Sequence, residues 1–356
     1  MTTDSGPNFL IWDVTFACPL RCTHCYTESG RRRPGNLSHE DMVKVADALI
    51  SFRPTQISLC GGEPLTVPRI LDIARRFRDN GVKVLIYTSG WNIPAETITE
   101  MADVLEKVVV SVDGATADVH DYIRSRPGSF DRAMHTLGLL DAENDRRRAQ
   151  GKPAMRFGID TVIVRSNWHQ VDDMAALVAR FPNLTELHLG AVVPTGLASR
   201  PTFNEHEMLS DEQVSDLNSE ATKARLQAAA PATVKVSTTD NFAVQMHPDF
   251  IATHPGFRPL EVEPDGEVRA MPIYEGTVGS LLTVDPQELW RRSRARWDDP
   301  WVVETLRGVT TRQDWAEAVR RIDYRFGSEE VRARIDKRPA FDPGESRRLT
   351  LRPATT

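Results

Sequence analysis

The chain has 356 residues, of which 40% are hydrophobic and 26% are charged, with a formal net charge of −6. This composition is that of a globular protein, and the acidic balance argues against nucleic-acid binding, which usually requires a basic excess. Residues 1–7 lack the apolar stretch of a secretion signal, and no segment approaches the roughly 18 continuous apolar residues of a membrane span. We therefore expect a cytoplasmic protein with no nucleic-acid or membrane partner. Thiols stay reduced in that compartment, so the four cysteines indicate metal binding or reactivity rather than disulfides.

Strands and helices alternate through the first half of the chain. Apolar runs predict six strands, at residues 9–14, 56–60, 82–87, 107–112, 155–164 and 184–193. Helical spacing of apolar residues predicts helices at 38–50, 68–80, 94–105, 130–148 and 168–181. Six such repeats imply a parallel sheet covered by helices, either open or curved into a partial or full barrel. In barrels of this type the chemistry lies at the C-terminal ends of the strands.

The alternation stops near residue 200. A polar helix is predicted over 205–229, a hairpin at the Pro-Asp-Gly turn of 264–266, and a helix at 286–297. The Arg- and Pro-rich end from about residue 339 is expected to be poorly ordered. We therefore divide the chain into a core at 1–200, a smaller region at 201–338 and a flexible tail at 339–356.

Three cysteines follow the first predicted strand closely: Cys18, Cys22 and Cys25. Thiolates are the ligands that iron–sulfur clusters require. Three local ligands leave one iron without a protein thiolate, and an open coordination position lets a metal site bind a substrate. A zinc site with His24 or Cys60 as fourth ligand is the alternative, although the C-x3-C-x2-C spacing is unusual for zinc.

The run from Cys18 to Tyr26 resembles the cysteine signature of radical S-adenosylmethionine (SAM) enzymes, with His24 in the usually aromatic position. The resemblance implies an α/β fold, a partial (β/α)6 barrel with a small α+β C-terminal cap. It also implies one [4Fe–4S] cluster on the three cysteines, with SAM on the open iron and with His24 and Tyr26 beside the cofactors. In that family, reduction by a donor such as flavodoxin or ferredoxin cleaves SAM to a 5′-deoxyadenosyl radical, which removes a hydrogen atom from the substrate.

A second motif closes the second strand and consists of Gly61, Gly62, Glu63 and Pro64. It resembles the GGEP motif of the same family, which implies that Glu63 and the adjoining backbone hold the SAM amino group. Glycines allow backbone to approach a ligand closely, and a carboxylate accepts hydrogen bonds from an ammonium group. Taken alone, the segment would be read as a plain turn.

Ser111 and Asp113 end the fourth strand and resemble the family's S-[IV]-D-G segment. The resemblance places them near the SAM ribose and carboxylate. Arg124 matches an arginine found at this position in many members and would pair with the SAM carboxylate. An ordinary surface arginine is the alternative. Leu197 stands where the family usually has another arginine.

The region from Glu263 to Trp290 resembles a SPASM or twitch domain, which normally carries cysteines for auxiliary clusters. No cysteine follows Cys60, and Met271 stands where one is expected. The resemblance is therefore to a degenerate domain without auxiliary clusters.

Cys60 has two interpretations. It is either a small buried hydrophobic residue or a catalytic hydrogen-atom donor to a substrate radical. Asp160, Glu186 and His188 lie on later strands, where they would bind substrate, act in acid–base catalysis or serve as structural polar groups.

The substrate is expected to be a small molecule. Because about eight residues precede the first strand, we expect no leader-binding domain fused at the N-terminus. We also expect no auxiliary cluster that could accept a second electron. We therefore expect epimerisation, decarboxylation or rearrangement of a sugar- or nucleoside-containing intermediate of natural-product or antibiotic biosynthesis. The alternatives are a maturase of a ribosomal peptide with a separate leader-binding partner, and a non-catalytic zinc or iron–sulfur regulatory protein.

Overall fold

A computed structural model describes residues 6–344 of the chain. The strands are β1 (Phe9–Asp13), β2 (Gln56–Cys60), β3 (Lys83–Thr88), β4 (Lys107–Ser111), β5 (Arg156–Ile163), β6 (Glu186–Ala191), β7 (Lys235–Thr239), β8 (Pro259–Val262), β9 (Glu267–Arg269) and β10 (Thr277–Ser280). The helices are α1 (His39–Ser51), α2 (Ile70–Asp79), α3 (Ala95–Val104), α4 (Ala117–Arg124), α5 (Ser129–Ala149), α6 (Val171–Leu177), α7 (Pro201–His206), α8 (Asp211–Leu217), α9 (Glu220–Ala229), α10 (Pro248–Thr253), α11 (Pro286–Trp297), α12 (Pro300–Arg307), α13 (Arg312–Phe326) and α14 (Glu329–Asp336).

The described residues form two compact units. The first contains residues 6–18, 26–85 and 242–339, and the second contains residues 19–25, 86–241 and 340–344. This division differs from the predicted boundary at residue 200, because the C-terminal segment joins the first strands of the chain in one unit. The predicted tail lies outside the described residues from 345 onward.

In the first unit the strand order is β10-β9-β8-β1-β2-β3. β1 runs parallel to both β2 and β8, whereas β9 is antiparallel to its two neighbours, β8 and β10. The predicted hairpin joins β8 to β9: the Glu263 N–H donates to the Glu267 carbonyl at 2.8 Å, and Gly266 takes a φ of +84°. Leu10 and Trp12 of β1 are buried in the core of this unit.

In the second unit β4, β5, β6 and β7 form a parallel sheet in that order. Apolar side chains of the flanking segments complete a core cluster that contains Ile123, Val192, Phe203 and Phe341. The α/β fold class with parallel strands is confirmed, and all six strands predicted for the first half are present. β7 was not predicted, because its sequence is polar and its residues are at most half-buried.

Two further predictions for the middle of the chain need correction. The single polar helix expected over 205–229 is two helices, α8 and α9, that follow the end of α7. Ser210 and Ser219 cap α8 and α9 by accepting the N–H groups of Gln213 and Thr222. α4 was not predicted as a helix at all. No helix within residues 6–344 is long and apolar enough to cross a membrane.

Candidate cluster and SAM site

The motif cysteines lie in the loop between β1 and α1. Cys22 is buried, Cys18 and Cys25 are half-buried, and none of the three is in a disulfide bond. Across residues 6–344, no group of three or more His, Cys, Asp or Glu side chains is arranged to hold a metal ion. The choice of these cysteines as ligands therefore rests on their motif and on the chemistry of the donor set, since three thiolates suit an iron–sulfur cluster.

The segment 19–25 of this loop is anchored by backbone hydrogen bonds to the end of α4. The N–H of Arg21 donates to the Arg124 carbonyl at 3.2 Å, and the N–H of Thr23 donates to the Ile123 carbonyl at 2.9 Å. The last carbonyls of a helix have no partner within the helix, so they are available for such bonds. The helix end therefore fixes the backbone on both sides of Cys22.

Residues that follow β6 hold the same segment from a second direction. The Leu197 N–H donates to the Cys25 carbonyl at 3.1 Å, and Nη2 of the buried Arg200 donates to the Thr23 carbonyl at 3.0 Å. Leu197 thus contacts the loop through its backbone, although it lacks the guanidinium usual at its position. Arg200 was missed by the sequence analysis, and its only signal was an arginine close after the turn at Gly196.

Asp113 is the centre of a buried polar group that includes two of the predicted site residues. Its Oδ2 lies 3.0 Å from His24 Nε2 and 2.6 Å from Arg124 Nε, and its Oδ1 accepts the Val162 N–H at 2.9 Å. The structure therefore brings His24, Asp113 and Arg124 together. Contacts of these side chains with SAM stay a prediction.

Arg124 also reaches the buried motif cysteine, with its Nη1 at 3.8 Å from Cys22 Sγ. Burial raises the pKa of the Cys22 thiol to about 11, and the Arg124 guanidinium acts in the opposite direction. Arg124 is not an ordinary surface arginine, because it is buried. Burial also lowers the pKa of the neighbouring His120 to about 3, so this imidazole is neutral and its Nδ1 accepts the Asp113 N–H.

The Gly-Gly-Glu-Pro segment packs against the start of the cysteine loop, backbone to backbone. The Gly62 N–H donates to the Thr15 carbonyl at 2.7 Å, and the Glu63 N–H donates to the Ala17 carbonyl at 2.8 Å. A Cβ on Gly61 would lie 2.4 Å from the Thr15 oxygen, and one on Gly62 would lie 2.0 Å from the Ala17 oxygen. The glycines are thus required by the approach of two protein segments.

Glu63 and Pro64 begin a short 3₁₀ turn in this segment. Glu63 is 1% exposed, and its Oε1 accepts the Leu65 N–H at 3.3 Å. A buried carboxylate at this strand end suits a positively charged partner. Its contact with the SAM amino group stays a prediction.

Tyr26, Asp13 and Cys60 lie together at the ends of β1 and β2. The Tyr26 hydroxyl donates to Asp13 Oδ1 at 2.8 Å, and Asp13 is the register partner of Cys60. Burial is the main cause of the raised pKa of Asp13, and the charge of Glu261 raises this pKa further. Burial is also the main cause of the raised pKa of Tyr26, to which the charge of Asp13 adds. Cys60 is half-buried rather than fully enclosed in the core.

The polar residues of the later strands divide by position. Asp160 is in register with Ser111, a half-buried residue at the end of β4, and burial raises the pKa of Asp160. Glu186 begins β6 and pairs with Lys107 at 2.7 Å. Glu186 thus lies at the strand end opposite to the one where barrel chemistry occurs, so its structural interpretation is favoured. The ring of His188 contacts the Ser237 hydroxyl at 2.9 Å.

The part of the chain that carries these motifs is similar to known proteins. Residues 12–145 match the family described as the Radical SAM superfamily. The chain is 33% identical over 218 residues to the mycofactocin maturase MftC of Mycobacterium tuberculosis, covering 59% of this chain and 52% of the relative. It is 30% identical over 194 residues to the AdoMet-dependent heme synthase of Methanosarcina barkeri, covering 54% of this chain and 52% of the relative. The chain thus spans about half the length of these relatives.

Two solved structures share the fold at low sequence identity. Streptococcus suis SuiB bound to precursor peptide SuiA has a TM-score of 0.63 at 14% identity, covering 96% of this chain and 76% of that chain. Native anSMEcpe with bound AdoMet and Cp18Cys peptide has a TM-score of 0.60 at 13% identity, covering 93% of this chain and 99% of that chain. At these identities the likeness shows the fold alone.

Proposed function

The chain carries a radical SAM domain, and from this premise we propose that it is a radical SAM enzyme that modifies a peptide. The cofactors of this domain are a [4Fe–4S] cluster and SAM. The observation that carries the proposal is the three-cysteine motif inside the matched residues, followed one β/α unit later by Gly-Gly-Glu-Pro. We further propose an electron donor of the flavodoxin or ferredoxin class as a partner.

Cys18, Cys22 and Cys25 would hold the cluster, and Glu63, Ser111 and Arg124 would bind SAM. When bound, these cofactors supply the one-electron chemistry that removes a hydrogen atom from the substrate. The protein supplies position and exclusion of solvent. The anchoring of segment 19–25 on the end of α4 and on Leu197 holds the backbone at Cys22 and Cys25, two of the three cysteines.

A peptide is favoured over the sugar or nucleoside expected from the sequence. The relative MftC is named a maturase, and two solved structures with this fold contain a peptide. This proposal replaces the small-metabolite prediction. A second candidate, a tetrapyrrole substrate, is favoured by the similarity to AdoMet-dependent heme synthase.

Two assays test the proposal. The anaerobically reconstituted protein, reduced with dithionite, should convert SAM to 5′-deoxyadenosine, and Cys22→Ala should not. Co-expression with short open reading frames adjacent to its gene should then yield a peptide whose mass changes only with the active protein. Absence of 5′-deoxyadenosine would contradict the enzyme assignment. Turnover of iron coproporphyrin, with no peptide changed in mass, would favour the second candidate.

A further inference from the structure

We propose that Arg124 is a positioning residue that donates an N–H···S hydrogen bond to the Cys22 thiolate and so raises the reduction potential of the cluster. This inference rests on the proposed function, because it assumes that Cys22 is a cluster ligand. The role is additional to the SAM contact that the sequence position of Arg124 implies.

The first support is geometric. Arg124 Nη1 lies 3.8 Å from Cys22 Sγ, a distance suited to a hydrogen bond to sulfur. The side chain is held from its other edge, since Nε lies 2.6 Å from Asp113 Oδ2. The backbone is held too, because the Arg124 carbonyl accepts the Arg21 N–H. The donor, on α4, and the sulfur, on the cysteine loop, are thus held in place by the hydrogen bond between these two segments.

The second support is the burial of the whole group. Cys22 is 8% exposed, Arg124 is 9% exposed and Asp113 is fully buried. Charges interact more strongly where water is excluded. The pair with Asp113 neutralises the guanidinium overall, yet the Nη1 N–H group that donates to the sulfur keeps its partial positive charge. The arrangement therefore presents a positive end to the thiolate.

The electrostatic consequence follows from the charge change on reduction. An external reductant adds one electron to the cluster, which gains one negative charge while no covalent bond forms or breaks. A hydrogen bond and a positive edge at a ligating sulfur stabilise the reduced form more than the oxidised form. Loss of Arg124 should therefore make the cluster harder to reduce.

The test is a dye-mediated redox titration of the reconstituted protein without SAM, followed by EPR of the reduced cluster. Arg124→Gln should shift the midpoint potential to a more negative value. Arg124→Lys, which retains the charge, should shift it less. Arg21→Gln is the matched control: it removes an exposed arginine next to Cys22, and its potential should equal that of the wild type. An unchanged potential in Arg124→Gln, or an equal shift in Arg21→Gln, overturns the inference.

A measurement on the wild type covers the case in which the variants take up no cluster. Protein labelled with ¹⁵N in the arginine guanidinium is reduced and examined by pulsed EPR. A hydrogen bond to sulfur should give a nitrogen coupling, and its absence overturns the inference. A wild-type protein that assembles no cluster contradicts the proposed function itself, whereas a cluster with no coupling contradicts only the role of Arg124.

Discussion

At the residue scale, Gly62 shows how backbone packing limits the choice of side chain near the site. A Cβ there would lie 2.0 Å from the Ala17 oxygen and 2.6 Å from the Ala17 carbonyl carbon. Both contacts involve backbone atoms, which cannot rotate away as a flexible side chain can. The glycine signal was visible in the sequence. The close approach of the cysteine loop, which leaves no room for a Cβ at this position, required the structure.

Gly62→Ala should therefore disrupt the start of the cysteine loop. We expect loss of most cluster uptake, measured as iron bound per chain, with a lower melting temperature. Gly138→Ala is the matched control, because Gly138 lies within α5 and a Cβ there meets nothing within 4 Å. That control should bind iron normally and gain roughly 0.5–1 kcal/mol of stability from the higher helix propensity of alanine. Normal iron uptake by Gly62→Ala would contradict the packing argument.

Each motif cysteine should be indispensable. Cys18→Ala, Cys22→Ala and Cys25→Ala are each expected to lose the [4Fe–4S] spectrum and SAM cleavage, because the site has only three local thiolates. The visible absorbance of the cluster measures the first loss, and the yield of 5′-deoxyadenosine measures the second. A full cluster in any of the three variants would contradict the assignment of that cysteine as a cluster ligand.

We propose that Cys60 donates a hydrogen atom to the substrate radical: its S–H bond breaks and a C–H bond forms on the substrate. The proposed external electron donor, with a proton from solvent, then returns the Cys60 thiyl radical to the thiol. Its half-buried position at the end of β2, in register with Asp13, is compatible with this role. Cys60→Ala should keep the cluster and still form 5′-deoxyadenosine, while product falls sharply. In deuterated buffer the wild-type product should carry deuterium. Equal, deuterium-free product from both proteins would instead support a packing role, with a loss of at most a few kcal/mol of stability.

At the element scale, the sequence predicts the strands and helices whose buried positions are occupied by apolar residues. Leu10 and Trp12 of β1 and Ile57 and Leu59 of β2 are buried, as their apolar runs indicate. β7, whose sequence is Lys-Val-Ser-Thr-Thr, gives no such signal and is defined by its pairing with β6. Long-range pairing of this kind cannot be deduced from local pattern.

The site shows the same division. The motifs identify His24, Asp113 and Arg124, yet only the fold shows that Asp113 joins the other two. Arg200 belongs to no motif. It lies directly before α7, and its side chain donates a hydrogen bond to the Thr23 carbonyl of the loop. Side chains that act through long-range contacts are therefore the part of the site that sequence misses.

The buried end of α13 predicts a pH dependence of stability. Asp323 Oδ1 accepts the Glu275 N–H at 2.8 Å, and burial, then the charge of Glu275, raises the pKa of Asp323 to about 7. A carboxyl group whose pKa is raised on folding stabilises the folded state in full at a pH below its unfolded pKa, near 3.8. This stabilisation is lost as the pH rises toward 7.

Asp323→Asn keeps an acceptor oxygen and removes the ionisation. Relative to wild type, the variant should gain stability between pH 4 and pH 8, by a few kcal/mol at most. Urea unfolding across this range measures the difference, with the exposed Asp336→Asn as control. A difference that does not change with pH would contradict the argument.

At the scale of the whole molecule, the C-terminal region contains no cysteine, so the four thiols of the chain all lie before residue 61. Met271, where an auxiliary-cluster cysteine is expected, is 2% exposed. Nearby, the buried Arg269 pairs with Glu261 at 3.3 Å and with Glu263 at 3.0 Å. We propose that this region is a degenerate SPASM-like domain held by apolar and ionic packing instead of metal.

The count of clusters per chain, combined with their response to SAM, tests the central claim most directly. Iron, sulfide and spin are quantified in the anaerobically reconstituted, reduced protein, and the EPR spectrum is recorded before and after SAM is added. The account predicts about four irons per chain in a single cluster, and a spectrum that changes on SAM addition. Reproducible loading of about eight irons or more per chain would contradict the claim of a single cluster. An EPR spectrum that does not change when SAM is added would contradict the claim that the cluster binds SAM.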